Sequence, residues 1–103
     1  MIQVAVQYPR AEGAKFDMDY YVNKHMPLVG DRCGAALKGM SVDQGIAGGA
    51  PGHPATYSAV GCLLFESVED FQNAFGPHVA EIMGDIPNYT DTTPIIQISE
   101  VKL

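Results

Sequence analysis

The chain has 103 residues, with 6 basic against 12 acidic side chains and a formal net charge of −6. That length predicts one domain spanning residues 1–103, able to bury about 65% of its unfolded surface around a single core. The acidic balance excludes binding to nucleic acid or to an anionic membrane, which takes clustered Lys and Arg, and no apolar run nears the ~20 residues of a membrane span.

Ile2 to Tyr8 sets Ile2, Val4, Val6 and Tyr8 against Gln3, Ala5 and Gln7, a period-2 strand. No charged region and apolar run precede it, so no signal peptide is expected. Pro9 to Ala14 is a turn. Phe16 to Leu28 predicts a helix with Asp17 as its N-cap, because a short acceptor there takes a first-turn N–H. Tyr21 and His25 lie four apart and are therefore neighbours on its surface. Met18, Val22, Leu28 and Val29 extend the same side. Pro27 has no N–H to give, which predicts a kink or a restart, with helix continuing to about Ala36.

Leu37 to Ile46 reads as a second, irregular strand, with Gly39 and Gly45 marking bulges or bends. Gly45 to Pro54 is a flexible loop, either a plain connection or a lid. Ala55 to Phe65 is the strongest strand, apolar on both faces. Ser67 caps a second helix with Glu69 and Asp70 in its first turn and Phe71, Ala74 and Phe75 as its inner stripe. Gly76-Pro77 breaks it, and Pro77 opens a further helix to about Met83. Asp85 to Thr90 is a turn-rich connection, and Pro94 to Leu103 is the last strand.

This order predicts an α+β, ferredoxin-like βαββαβ domain: a four-stranded antiparallel sheet with two helices on one face. A sheet covered once should show one polar face. Here the third strand is apolar on both sides, and the last carries Ile95, Ile96, Ile98, Val101 and Leu103. No element of the chain is left to cover them. A homodimer is therefore expected, with two sheets face to face and the helices outside.

Few residues can do chemistry. His25 titrates near neutral pH and can move a proton to or from a ligand; the alternative is a core histidine satisfied by its neighbours. Tyr21 either orients that ring or packs as an ordinary aromatic. His78, just after the Gly76-Pro77 break, can reach the same cavity or stand in solvent. His53 sits in the glycine-rich loop. These three histidines have no metal-ligand spacing, so no metal is expected. Cys33 and Cys62 form no C-x-x-C and read as reduced thiols of a cytoplasmic protein. The Gly45–Pro54 loop has no G-K-[S/T] and is no phosphate cradle, and no G-x-G-x-x-G follows a strand. An RNA-binding domain of this fold is excluded by charge and by the missing aromatic strand pattern.

Tyr20-Tyr21-x-x-x-His25-Met26-Pro27-Leu28 resembles a motif of the EthD-like family, named after protein D of ethyl tert-butyl ether degradation. So does the tail Asp85-Ile86-Pro87-Asn88-Tyr89-Thr90, followed by Pro94, Gln97 and Glu100-Val101. The loop Gly45-x-x-Gly48-Gly49-x-Pro51-Gly52 and Tyr57 are similar as well, and the likeness runs from about Gln3 to Val101. The resemblance implies a dimeric α+β barrel. The wider superfamily holds cofactor-free monooxygenases, lactone isomerases, polyketide cyclases and haem-using enzymes. Catabolism of ethers or xenobiotics is implied by the resemblance alone.

The functional expectation is a protein that binds a small and largely apolar organic molecule between sheet and helices, with turnover left open. His25 is the expected acid or base, with Tyr21, Met26, Leu28, His78 and Tyr89 around the ligand. The residues require no cofactor. One alternative is a non-catalytic dimeric accessory module of a catabolic pathway. Another is a haem-handling protein, since a lone histidine can ligate iron.

Overall fold

The structure, a computed structural model, describes residues 1–103. Strand β1 spans Ile2–Pro9, β2 Gly39–Gln44, β3 Tyr57–Phe65 and β4 Ile95–Glu100. They form one sheet in the order β2-β3-β1-β4, with every neighbouring pair antiparallel. Helix α1 (residues 18–33) links β1 to β2, and helix α2 (residues 68–84) links β3 to β4. This is the expected ferredoxin-like α+β architecture. No helix is long and apolar enough to cross a membrane.

The alternation in β1 decides which face is covered. Directly opposed residues of an antiparallel pair share a face, so Val4↔Leu63, Val6↔Gly61 and Tyr8↔Ala59 turn the apolar set of both central strands the same way. The helices lie over that face. Ile2, Val4, Tyr8, Ala59, Leu63 and Phe65 are buried there, against Tyr21, Met26, Val29 and Cys33 of α1 and Ile82 of α2. Phe71, Ala74 and Phe75 pack on this core as the stripe predicts. Val22, by contrast, is 44% exposed and lies on the solvent side of α1.

Both N-caps act as their residue types dictate. Asp17 Oδ1 accepts from the Tyr20 N–H at 3.1 Å, and Ser67 Oγ accepts from the Asp70 N–H at 3.1 Å. The expected break at Pro27 takes another form. A regular α-helix running into Pro27 would drive the ring against the Asn23 carbonyl and leave that carbonyl without a donor. The chain meets this with a π-helical turn over Tyr21–His25, in which the Met26 N–H donates to the Tyr21 carbonyl. The helix then continues as Met26–Cys33. The widened turn has a consequence for the site: successive residues His25 and Met26 both face inward, at 4% and 6% exposure. The second break is also milder than the sequence suggests, a single 3-10 turn over Gly76–His78 inside α2.

Gly39 and Gly45 bound β2 rather than bulge it; the one irregularity of register falls between Tyr8 and Pro9. A short 3-10 turn, Ile86–Asn88, follows α2, and its neighbourhood is laced to the start of α1. The Asp17 N–H donates to the Tyr89 carbonyl at 2.7 Å, and Thr90 Oγ1 donates to the Lys15 carbonyl at 2.6 Å. These bonds hold residues 85–90 beside α1.

The molecule measures 41 × 33 × 19 Å, and its short axis is the thickness of one sheet and one helical layer. The other sheet face has no cover within the chain. It carries Val60, Cys62 and Leu64 of β3 and Ile95 of edge strand β4, the last 54% exposed, whereas Ile96 and Ile98 oppose Val6 and Val4 and lie at the edge of the helix side.

Candidate functional site

α1 and the segment after α2 together place a histidine–carboxylate pair. His25 Nδ1 lies 3.0 Å from Asp85 Oδ2. Asp85 is fixed in turn, its Oδ1 accepting from Tyr20 Oη at 2.7 Å and from Asn88 Nδ2 at 2.9 Å. An ionised carboxylate only accepts, so the Asp85 contact selects the tautomer with the proton on Nδ1. Nε2 is left with its lone pair free. It has no protein partner, and every fully enclosed side-chain polar atom has one, so Nε2 opens to the cavity that the ring lines.

That cavity lies between sheet and helices and measures about 30 Å³, room for one or two water-sized groups. Eleven of its 13 lining residues are hydrophobic. Its floor is Val6, Gly61, Leu63 and Ile96 of the sheet, and its roof includes Met26, Val29, Met83 and Ile86. Met26 and Met83 are unbranched and soft, so their rotation admits a larger molecule at small cost.

Aromatic rings surround the pair. Tyr21 stacks on His25 at 5.6 Å between centroids with the planes 18° apart, and the Tyr89 ring lies 4.7 Å from the imidazole on another side. Tyr8 and Tyr89, both buried, share a hydroxyl–hydroxyl hydrogen bond of 2.6 Å. The Tyr21 hydroxyl sits directly over Gly61, where a β-carbon would collide with it. Only glycine fits below this hydroxyl.

Burial decides the protonation states. It pushes the His25 imidazole below its ordinary 6.5, and the neighbouring Asp85 carboxylate recovers only part of that shift. Burial likewise pushes Asp85 up, but bonds from Asn88, Tyr20 and His25 outweigh it and hold the carboxyl below the usual range. Burial raises the phenols of Tyr8, Tyr21 and Tyr89, which stay protonated. At neutral pH the site therefore holds a neutral imidazole backed by a carboxylate, with nothing else ionised on the cavity wall.

A pH dependence of stability follows. Between the lowered native pKa of His25 and 6.5, the unfolded chain binds more protons than the native one, so stability rises with pH across that window. The expected result is a melting temperature that falls as pH drops from 6.5. His25→Asn should flatten that fall, and Asp85 adds a second loss only below about 4. Thermal melts of both proteins from pH 7 to pH 4 check it. Parallel curves would mean that His25 titrates as it does in the unfolded chain.

The sequence-expected site residues divide. His25, Tyr21 and Met26 meet on the cavity wall. Tyr89 is fully buried one layer behind, touching His25 rather than the cavity. Leu28 and His78 are half-buried and do not line it. Leu28 sits two positions past Met26 on α1, which turns it off the inner face, and His78 closes the 3-10 turn Gly76–His78 outside the cavity wall. Asp85, the partner of His25, and Tyr20 and Tyr8 were missed. Asp85 stands in the sequence as the carboxylate that opens the tail segment Asp85–Thr90, with no spacing that links it to His25.

A family model, the EthD domain, matches residues 12–93. The chain belongs to the EthD family. Among solved structures, an EthD-like protein from Ralstonia eutropha is 47% identical, covered over 99% of this chain and 92% of its own, with a TM-score of 0.95. An ethyl tert-butyl ether D (EthD) family protein from Bacillus halodurans is 19% identical over 99% of both chains, with a TM-score of 0.68, and shares the fold. No curated protein matches the chain. The family's helix motif and its tail motif thus supply, respectively, the histidine and the carboxylate of the pair.

Proposed function

We propose that this EthD-family chain is a single-domain protein that binds a small, largely apolar organic molecule and moves a proton on it without a cofactor. His25 is the base or acid, and Asp85 orients the ring and stabilises the imidazolium that forms when Nε2 takes a proton. The observation that carries this reading is the His25–Asp85 contact of 3.0 Å behind a ring whose other nitrogen opens on an apolar cavity. A neutral imidazole suits abstraction of a proton next to an activated carbonyl or a lactone. Tyr21 stacks on the ring and limits its rotation, and Met26 shapes the wall. A haem role finds less support, since the cavity is small, about 30 Å³.

The test uses nitroethane, a small carbon acid that rotation of Met26 and Met83 can admit. In D2O the protein should speed exchange of the α-protons beyond an equal concentration of free imidazole, and nitroethane should shift the His25 ring resonances. The proton passes from carbon to Nε2, the nitronate remains, and a solvent deuteron returns to carbon. Exchange no faster than with imidazole, and a His25 ring blind to the probe, would favour the non-catalytic accessory module.

The second part of the proposal is a homodimer. Val60, Cys62 and Leu64 of β3 and Ile95 of β4 form an apolar strip on the sheet face that no helix covers, and burying such a strip favours a second copy. Covering it with a second sheet leaves the helices and the His25 cavity on the outer layer. Sedimentation at micromolar concentration should show twice the chain mass. A well-folded monomer there would sink this part of the proposal while leaving the His25 chemistry standing.

A further inference from the structure

We propose a second ligand site, independent of the His25 cavity, that takes a small organic carboxylate on Arg10. A cleft of about 380 Å³ opens where the end of β1, the start of α1 and the loop between β2 and β3 meet. That is within the range of small-molecule pockets. It shares no lining residue with the apolar cavity, and Phe16 is the wall between them: it lines the cleft, and its ring touches Tyr8 at 5.1 Å and Tyr21 at 5.2 Å.

Three observations point to an anion with an apolar body. The first is charge. The chain carries 12 acidic residues, yet none lines this cleft. Of the two arginines, Arg32 is bound by Glu81 and Asp31, whereas the Arg10 side chain has no ion pair and no hydrogen bond within the chain. Its backbone N–H donates to the Thr56 carbonyl at 3.0 Å, which fixes where the side chain starts.

The second observation is the rest of the lining. Gln44, Tyr57 and Ser58 also make no side-chain hydrogen bond in the chain, so donors stand uncommitted beside apolar Phe16, Met18 and Ile46. A guanidinium fork matches a carboxylate bidentately, and the apolar side suits a ring or short hydrocarbon.

The third is that the loop wall is built. The Gly45 N–H donates to the Ser58 carbonyl at 2.9 Å, and the Gly48 N–H to the His53 carbonyl at 2.8 Å. A β-carbon at Gly45 would collide with the Tyr57 carbonyl, and one at Gly48 would lie 2.7 Å from the Pro54 carbonyl. Gly45 and Gly48 thus let the backbone fold back on itself, and Gly45, Ile46, Pro54 and Ala55 of this loop form a wall of the cleft.

Benzoate is the probe, with benzyl alcohol as its uncharged counterpart, and backbone amide shifts of the full-length protein are the readout. Benzoate should saturate with a dissociation constant on the order of 1 mM, shifting Gly45, Ile46 and Ser58 and weakening with added salt. Benzyl alcohol should bind at least about tenfold more weakly, a loss of about 1.4 kcal/mol. Arg10→Gln, an exposed change whose amide spectrum reports its own folding, should weaken benzoate by a similar factor. Arg10→Lys should fall between, since it keeps the charge and loses the fork. His25→Asn should leave benzoate binding unchanged. Shifts confined to Val29 and Ile82 of the apolar cavity, equal binding of benzyl alcohol, equal binding by Arg10→Gln, or no saturable shift would each overturn the proposal. None of these outcomes touches the reading of His25, which nitroethane tests.

Discussion

His25→Asn is expected to return nitroethane exchange to the solution background, a loss of about 10²–10⁴-fold, the worth of one positioned proton acceptor. The choice of asparagine matters. Its amide N–H stands close to where Nδ1–H stood, so Asp85 keeps a donor there as well as those from Tyr20 and Asn88. What vanishes is Nε2, the only basic atom on the cavity wall. Stability should therefore fall by about 1 kcal/mol, an ordinary substitution. The wild-type rate should also rise with pH through the lowered pKa of His25 and then level, since the neutral ring is the active form. Asp85→Asn should slow exchange less and move that rise to lower pH, because the lost carboxylate no longer favours the charged ring. The contrary result is equally sharp. If His25→Asn leaves exchange unchanged and costs about 1–3 kcal/mol, His25 is a buried structural group, and the accessory-module reading takes over.

Gly61→Ala should destabilise the protein by about 3 kcal/mol, the upper end of the overpacking range. The new β-carbon would meet the Tyr21 hydroxyl, and Tyr21 cannot retreat. It is 1% exposed, packed on Tyr8, Phe16 and Tyr89 and stacked on His25. Either the ring lifts and displaces His25, or β3 shifts against β1. Tyr21→Phe removes the offending oxygen, after which the nearest ring atom, Cζ, lies at 3.4 Å, the edge of normal contact. The double variant should thus recover much of the loss, with a coupling of about 1–2 kcal/mol. Urea unfolding of the four proteins at one fixed concentration measures it, fixed because a dimer's stability depends on concentration. Additive losses would show that the hydroxyl–glycine contact is not what holds Tyr21 in place.

The comparison also explains why glycine stands in the middle of an inner strand, where it normally weakens a sheet. Gly61 takes the Tyr21 hydroxyl against its backbone and, with Val6 opposite, lies on the cavity floor.

Much of this protein follows from the sequence alone. Period-2 alternation in β1, the caps Asp17 and Ser67, and the spacing of Tyr21 and His25 are local, set by backbone geometry within one turn or one strand. They yield the element order, the ferredoxin-like sheet and the inward face of α1. The EthD family was legible too, because its two motifs are linear. The site's chemistry was not. Asp85 is 60 positions from His25, and Tyr89 is 81 from Tyr8; no periodicity links them. Which side chains meet depends on how the segment after α2 is laced to the start of α1 by bonds from Asp17 and Thr90. Leu28 and His78 show the converse. Each looked well placed along the chain, but Leu28 is turned off the inner face of α1 and His78 closes the 3-10 turn outside the cavity wall. Residue types and local spacing determine the elements; the rotation of each element about its own axis is decided by packing, because only there do side chains compete for the same space.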